Sequence, residues 1–126
     1  MATEQTLQKD ETTDLISSEK VEGTSVVNKS GDTIGKIEKL MIEKRSGKVA
    51  YAVMGVGGFL GIGERHQAVP WNVLAYDTNL GGYVMDADRA RLEGAPSWSG
   101  TESPDWRNRD WEKRIYDYWG ARPYWS

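Results

Sequence analysis

His66 is the only histidine in the chain, and Glu64 stands two residues before it. On an extended strand, residues two apart project from the same face, so this pair could set a carboxylate beside an imidazole. That is half of a hydrolytic arrangement: a base oriented by an acid, needing a Ser or Thr hydroxyl to activate. The pair closes a glycine-rich run, GVGGFLGIGERHQAVPW from Gly55 to Trp71, with five glycines between positions 55 and 63. Such runs cradle phosphates where they lead into a helix N-terminus, because backbone donors and the helix dipole converge there.

The registers do not fit a nucleotide. A G-x-G-x-x-G pattern begun at Gly55 needs glycine where Leu60 stands, and one begun at Gly61 needs it where His66 stands. Gly-Lys at 35–36 and 47–48 is followed by Ile37 and Val49, not by Ser or Thr. The run is read as a reversal between two strands, its glycines permitting tight turning while Phe59, Leu60 and Ile62 cap one end of the fold. Zinc takes three or four protein ligands, more than His66 and Glu64 supply. Asp77, Asp86 and Asp88 lack the D-x-D-x-D-G spacing of a calcium loop and read as turn and cap residues. With no cysteine, thiol catalysis, disulfides and Cys-ligated metals are excluded. The chain is therefore read as non-enzymatic, with no catalytic, cofactor or metal residues. A small-ligand or hydrolase site around His66 and Glu64 is the enzymatic alternative.

The elements that must position these residues are mostly strands. The 126 residues suit one domain with flanking segments. Residues 1–20 are polar and aperiodic, with five acids against two lysines, and read as a disordered N-terminal arm. From Val21, short apolar runs alternate with turn clusters such as Asn28-Lys29-Ser30-Gly31-Asp32 and Lys44-Arg45-Ser46-Gly47. The run Ile34 to Ile42 has a helix-like spacing, but its setting between tight turns predicts a strand with a bulge between Ile37 and Leu40. Val49, Tyr51 and Val53 alternate with Ala50, Ala52 and Met54, one large face and one small. Arg65 to Val69 is a strand closed by Pro70, and Val73 to Tyr76 and Tyr83 to Met85 flank a hairpin turn. Asp88 caps a short helix over Arg89 to Glu93, with Gly94 at its C′ position.

The last thirty residues differ in texture. Five of the six tryptophans fall there, Trp98, Trp106, Trp111, Trp119 and Trp125, with Tyr116, Tyr118 and Tyr124. Asn108 or Asp110 caps a helix of about 109–119 that Gly120 terminates, with Trp111, Ile115 and Trp119 on one apolar face. Arg109, Glu112, Lys113 and Asp117 are expected mostly elsewhere on it.

The succession GDTIGKIEKLMIEKRSGKVAYAVMGVGG, LGIGERHQAVPWNVLAYD and GGYVMDADRARLEGAPSW closely resembles the PRC-barrel domain over about residues 23–96. Its most specific parts are Gly31, Gly35, Lys36 and Ile37, then Val69, Pro70 and Trp71, then Leu92, Gly94, Ala95 and Pro96. The tail DWEKRIYDYWGARPYW is similar to the C-terminal extension of stand-alone bacterial members. The resemblance implies a mainly β protein, a small, highly curved β-barrel spanning 21–96 with a helical aromatic extension over 97–126. It also implies an interaction or assembly module. In the photosynthetic reaction-centre H subunit the domain sits on a membrane complex and assists proton delivery to quinone. In the bacterial ribosome-maturation factor it docks on a ribosomal protein.

Partners follow from charge and the tail. Residues 21–96 carry nine acids and nine bases, and 97–126 five of each, so there is no basic excess to hold nucleic acid. The uncharged run from Val49 to Gly63 is too short and glycine-rich to span a membrane as a helix, which needs about 20 apolar residues. A cytoplasmic location is expected, with peripheral membrane association to an electron-transfer complex as the alternative setting. The candidate interaction surface is Trp106, Trp111, Ile115, Tyr118, Trp119 and Trp125. These residues either pack back on the barrel, cross to a second copy in a homodimer, or dock on an unidentified protein.

Overall fold

Turn residues cut this chain into short strands, and the strands pair mostly with their sequence neighbours. In the computed structural model, which describes residues 11–57, 65–99 and 104–126, the elements are α1 (Ser18–Val21), β1 (Ser25–Val27), β2 (Thr33–Ile42), β3 (Val49–Val56), β4 (Arg65–Pro70), β5 (Leu74–Asp77), β6 (Gly82–Met85), α2 (Arg89–Gly94), β7 (Trp98–Ser99) and α3 (Arg109–Trp119). Seven strands form one curled sheet in the order β5-β6-β1-β2-β3-β4-β7, a half-barrel. Every pairing is antiparallel except β1 with β6, which is parallel.

The helix-like spacing in β2 is resolved as expected. The ladder between β2 and β3 slips between Ile37 and Lys39, so Ile37 pairs with Met54 while Lys39 pairs with Val53. Glu38 is the extra residue of this bulge, which puts Leu40, paired with Ala52, on the same face as Ile37, paired with Met54. At the tight turn after β2, the Gly47 N–H donates to the Glu43 carbonyl while Gly47 holds φ 77°, a left-handed conformation that favours glycine.

The glycine run joins antiparallel neighbours, since Val56 pairs with Arg65 across β3 and β4. It leads from strand to strand, as the sequence predicts. The expected capping by Phe59, Leu60 and Ile62 falls outside the described residues.

Three expectations are corrected. Residues 1–20 are expected to form a disordered arm, yet in the described part of it Glu11 bridges to Ile16 and α1 runs from Ser18 with Ser17 as its N-cap. Val21 at the end of α1 is buried, and Lys20 pairs with Glu11 at 2.9 Å. A buried apolar anchor, a local cap and the contacts of Glu11 with Lys20 and Tyr76 together hold this polar segment. Gly94 does not end α2 in a left-handed conformation; the helix closes on Ala95 at φ −76°. Its lack of a side chain instead makes room for Tyr118, whose hydroxyl lies 2.8 Å from where a Cβ would be. Third, the sheet continues past residue 96, because Trp98 pairs with His66 and Ser99 with Arg65.

β3 is buried on both faces, from Ala50 through Met54. The small face, Ala50, Ala52 and Met54, shares the core with Val26, Ile37 and Val69. Tyr51, on the large face, lies beneath the C-terminal segment, against Trp106, Tyr116 and Tyr124. That segment is what turns an open sheet face into a core.

Candidate functional site

The described residues converge chemically where α3 meets β3. Asn108 caps α3, its side-chain oxygen accepting from the Trp111 N–H at 3.2 Å. Gly120 ends it at φ 65°, with the Ala121 N–H returning to the Tyr116 carbonyl. Between these caps, Glu112, Ile115, Tyr116 and Trp119 are buried. Positions 112, 115, 116 and 119 follow the i, i+3, i+4, i+7 rule, so the face turned to the sheet centres on them.

Glu112 occupies the one slot on that face where a carboxylate is least expected. Its Oε2 accepts a hydrogen bond from the Tyr51 hydroxyl at 2.9 Å, and Arg109 Nε lies 3.7 Å from its other oxygen. Burial, and then the hydrogen bond to Glu112, push the Tyr51 phenol well above its ordinary range, so it stays a neutral donor. Tyr116, whose hydroxyl donates to the Ala50 carbonyl at 3.2 Å, is pushed up to about 12 by burial.

Aromatic rings surround the pair. Tyr51 meets Trp106 at 5.8 Å, Tyr116 at 5.2 Å and Tyr124 at 6.2 Å between centroids. Trp106 and Trp111 meet edge to face at 5.3 Å, and both contact Trp98 at 6.1 Å. Arg109 lies 3.6 Å from the centroid of Trp125 and 5.8 Å from that of Tyr124. At the other end of α3, Arg91 stacks on Tyr118 and Trp119, both at 5.1 Å. Arg91 also donates to the Tyr118 carbonyl, and the Tyr118 hydroxyl returns a bond to the Arg91 carbonyl, each at 2.6 Å.

The six residues of the candidate interaction surface are thus placed on their own barrel. Ile115 and Trp119 are buried in it, and Trp106, Trp111, Tyr118 and Trp125 are part-buried against the same core. Tyr51, Glu112, Tyr116 and Tyr124 complete the cluster without having been singled out as site residues. The spacing Glu112–Ile115–Tyr116–Trp119 was available as a signal, but an acid on an apolar face is ordinarily read as solvated.

His66 has a carboxylate partner on β2. Its Nδ1 lies 2.7 Å from Glu38 Oε1, and its ring contacts Trp98 at 5.8 Å. Lys36, Gly55 and His66 are in register across β2, β3 and β4. The Glu38 side chain crosses the middle strand over Gly55, where a Cβ would lie 2.7 Å from Glu38 Oε2. Glu64, the acid expected to orient His66, falls outside the described residues. Among the described residues no group of three His, Cys, Asp or Glu is placed to hold a metal ion. None of the described helices is long and apolar enough to cross a membrane.

The barrel topology, the bulged β2 and the Val-Pro-Trp closing β4 agree with a family comparison: the PRC-barrel domain model matches residues 13–92, more than half of the chain. The chain belongs to the PRC-barrel family. The family match begins at residue 13, inside the segment that α1 and the Glu11–Lys20 pair order in this PRC-barrel. No curated protein matches the chain in sequence. Among solved structures, it is similar to a 16S ribosomal RNA processing protein, RimM, from Pseudomonas aeruginosa, with 20% identity and a TM-score of 0.40. That match covers 67% of this chain and 50% of the other, so this PRC-barrel chain spans about half the length of RimM.

Proposed function

We propose that the chain is a non-enzymatic interaction and assembly module of the PRC-barrel type, acting as a homodimer within a larger complex. The observation behind this choice of contact is that β5 is one of the two terminal strands of the sheet among the described residues, with Leu80 exposed at its turn and Tyr76, which donates to Glu11, exposed along it. An edge strand presents unpaired backbone donors and acceptors, a template for a strand from another chain. The aromatic extension is a poorer choice of docking face than its composition implies, since Ile115 and Trp119 are already packed in cis. Two β5 edges meeting antiparallel give an isologous contact with two-fold symmetry. The absence of cysteine fits a reducing, cytoplasmic setting.

Light scattering at micromolar concentration tests this reading. A mass of twice 14.1 kDa is expected, and Leu80→Asp should shift the species toward the monomer. A clean monomer of 14.1 kDa rules out the homodimer. A dimer insensitive to Leu80→Asp removes the β5 edge as its contact. A chemical-crosslinking pull-down from native cells then identifies any further protein partner.

A further inference from the structure

A cavity of about 100 Å³ opens between β2, β3 and the C-terminal segment. Three aromatic residues line it, Tyr51, Trp106 and Tyr124, together with Glu112, Glu43 and half-exposed Ile42. The space exceeds that of one water, which needs on the order of 10–15 Å³ on this measure. Its walls are electron-rich rings, and its charged groups are acids. Rings and carboxylates together attract cations, and a cation with methyl groups suits walls that offer few free acceptors. Here the acceptors are partly engaged: Glu112 receives the Tyr51 hydroxyl, and Glu43 receives the Ser46 hydroxyl. The same cluster already attracts one cation on its outer side, where the Arg109 guanidinium lies against Trp125 and approaches Glu112.

We propose that this cavity binds a methylated ammonium group, held between Tyr51, Trp106 and Tyr124 and neutralised by Glu112 and Glu43. The recognised chemistry is a compact quaternary head, whether borne by a soluble molecule or by a lipid. Arg109 stays on the outer rings and completes the charge balance of Glu112.

The full chain is titrated with tetramethylammonium chloride against sodium chloride at equal ionic strength, following the Trp106 indole N–H by NMR. A saturable shift in the millimolar range with tetramethylammonium, and none with sodium, is expected. Glu112→Gln should weaken it at least tenfold. Should Glu112→Gln unfold, Ile42→Trp fills the mouth from a half-exposed position and should produce the same loss. Shifts that are linear and equal for both salts, or binding unchanged by Ile42→Trp, overturn the proposal. Free choline and phosphatidylcholine vesicles then separate the two sources. Binding of choline without sedimentation on vesicles assigns a soluble cation, and sedimentation reversed by choline assigns a lipid headgroup.

Discussion

Tyr51 and Glu112 stand 61 residues apart in sequence and 2.9 Å apart in space, hydroxyl to carboxylate, with both residues buried. This contact ties the extension to the central strand. Tyr51→Phe removes the donor and leaves a buried carboxylate short of a partner, at an expected loss of about 1–3 kcal/mol in urea unfolding. Glu112→Gln keeps an acceptor and should lose less. In a double-mutant cycle of Tyr51→Phe with Glu112→Leu, which removes the acceptor, the two changes should couple by about 0.5–3 kcal/mol, whereas additive effects would mean that the contact contributes nothing.

Alkaline pH should loosen the same region. Tyr51 and Tyr116 are both held above the ordinary tyrosine value of about 10, chiefly by burial, and Tyr116 reaches about 12. Their neutral forms are favoured in the folded state, so their contribution is full below pH of about 10. Above it the unfolded chain binds fewer protons, and stability falls as pH rises toward the folded values. Tyrosinate absorbance from these rings should appear together with loss of near-UV circular dichroism; titration of both rings in a still-folded protein would refute this.

Removing residues 104–126 strips the cover from Tyr51 on β3. Each aromatic or branched side chain so exposed forfeits roughly 1.5–3 kcal/mol of burial. The truncated chain should bind a hydrophobic dye and melt at least 10 °C lower, about what a loss of 2 kcal/mol does to a domain of this size. An unchanged melting temperature would show the barrel to be self-sufficient.

Two glycines with ordinary φ should rank by what their missing Cβ would meet. At Gly35 the obstacles at 2.8 Å are the Gly55 carbonyl oxygen and Met54, including backbone that cannot swing aside. At Gly55 the obstacle at 2.7 Å is the Glu38 carboxylate, the end of a flexible side chain. Gly35→Ala should therefore cost about 1–3 kcal/mol and Gly55→Ala less. Adding Glu38→Ala should relieve Gly55→Ala and leave Gly35→Ala unchanged, and thermal melts of the four variants decide it.

Gly120 differs in kind, because its φ of 65° is the obstacle and no atom lies near its missing Cβ. Gly120→Ala should cost about 1–2 kcal/mol through backbone conformation alone, and Gly120→Asn less. Equal losses for both would point to another cause.

Local chemistry made much of this fold legible. Strand alternation, turn clusters, the β2 bulge and the Asn108 and Gly120 caps of α3 all depend on neighbours within a few residues, so they can be read in order along the chain. The family motifs around Gly35, Val69–Trp71 and Leu92–Pro96 belong to the same local level. What escaped that reading is set by contacts across long separations. Whether Glu112 is solvated or buried depends on a hydroxyl 61 residues away, and the reach of Glu38 to His66 depends on a glycine on the strand between them. The order in residues 11–20 likewise comes from Lys20 on Glu11 and Glu11 on Tyr76, the latter 65 residues on. Gly94 reads as a helix stop in one dimension and as space for Tyr118 in three. Periodicity tells which face of an element is apolar, but only the packed structure tells what that face meets, because a buried polar group is tolerated only where a distant partner completes its hydrogen bonds.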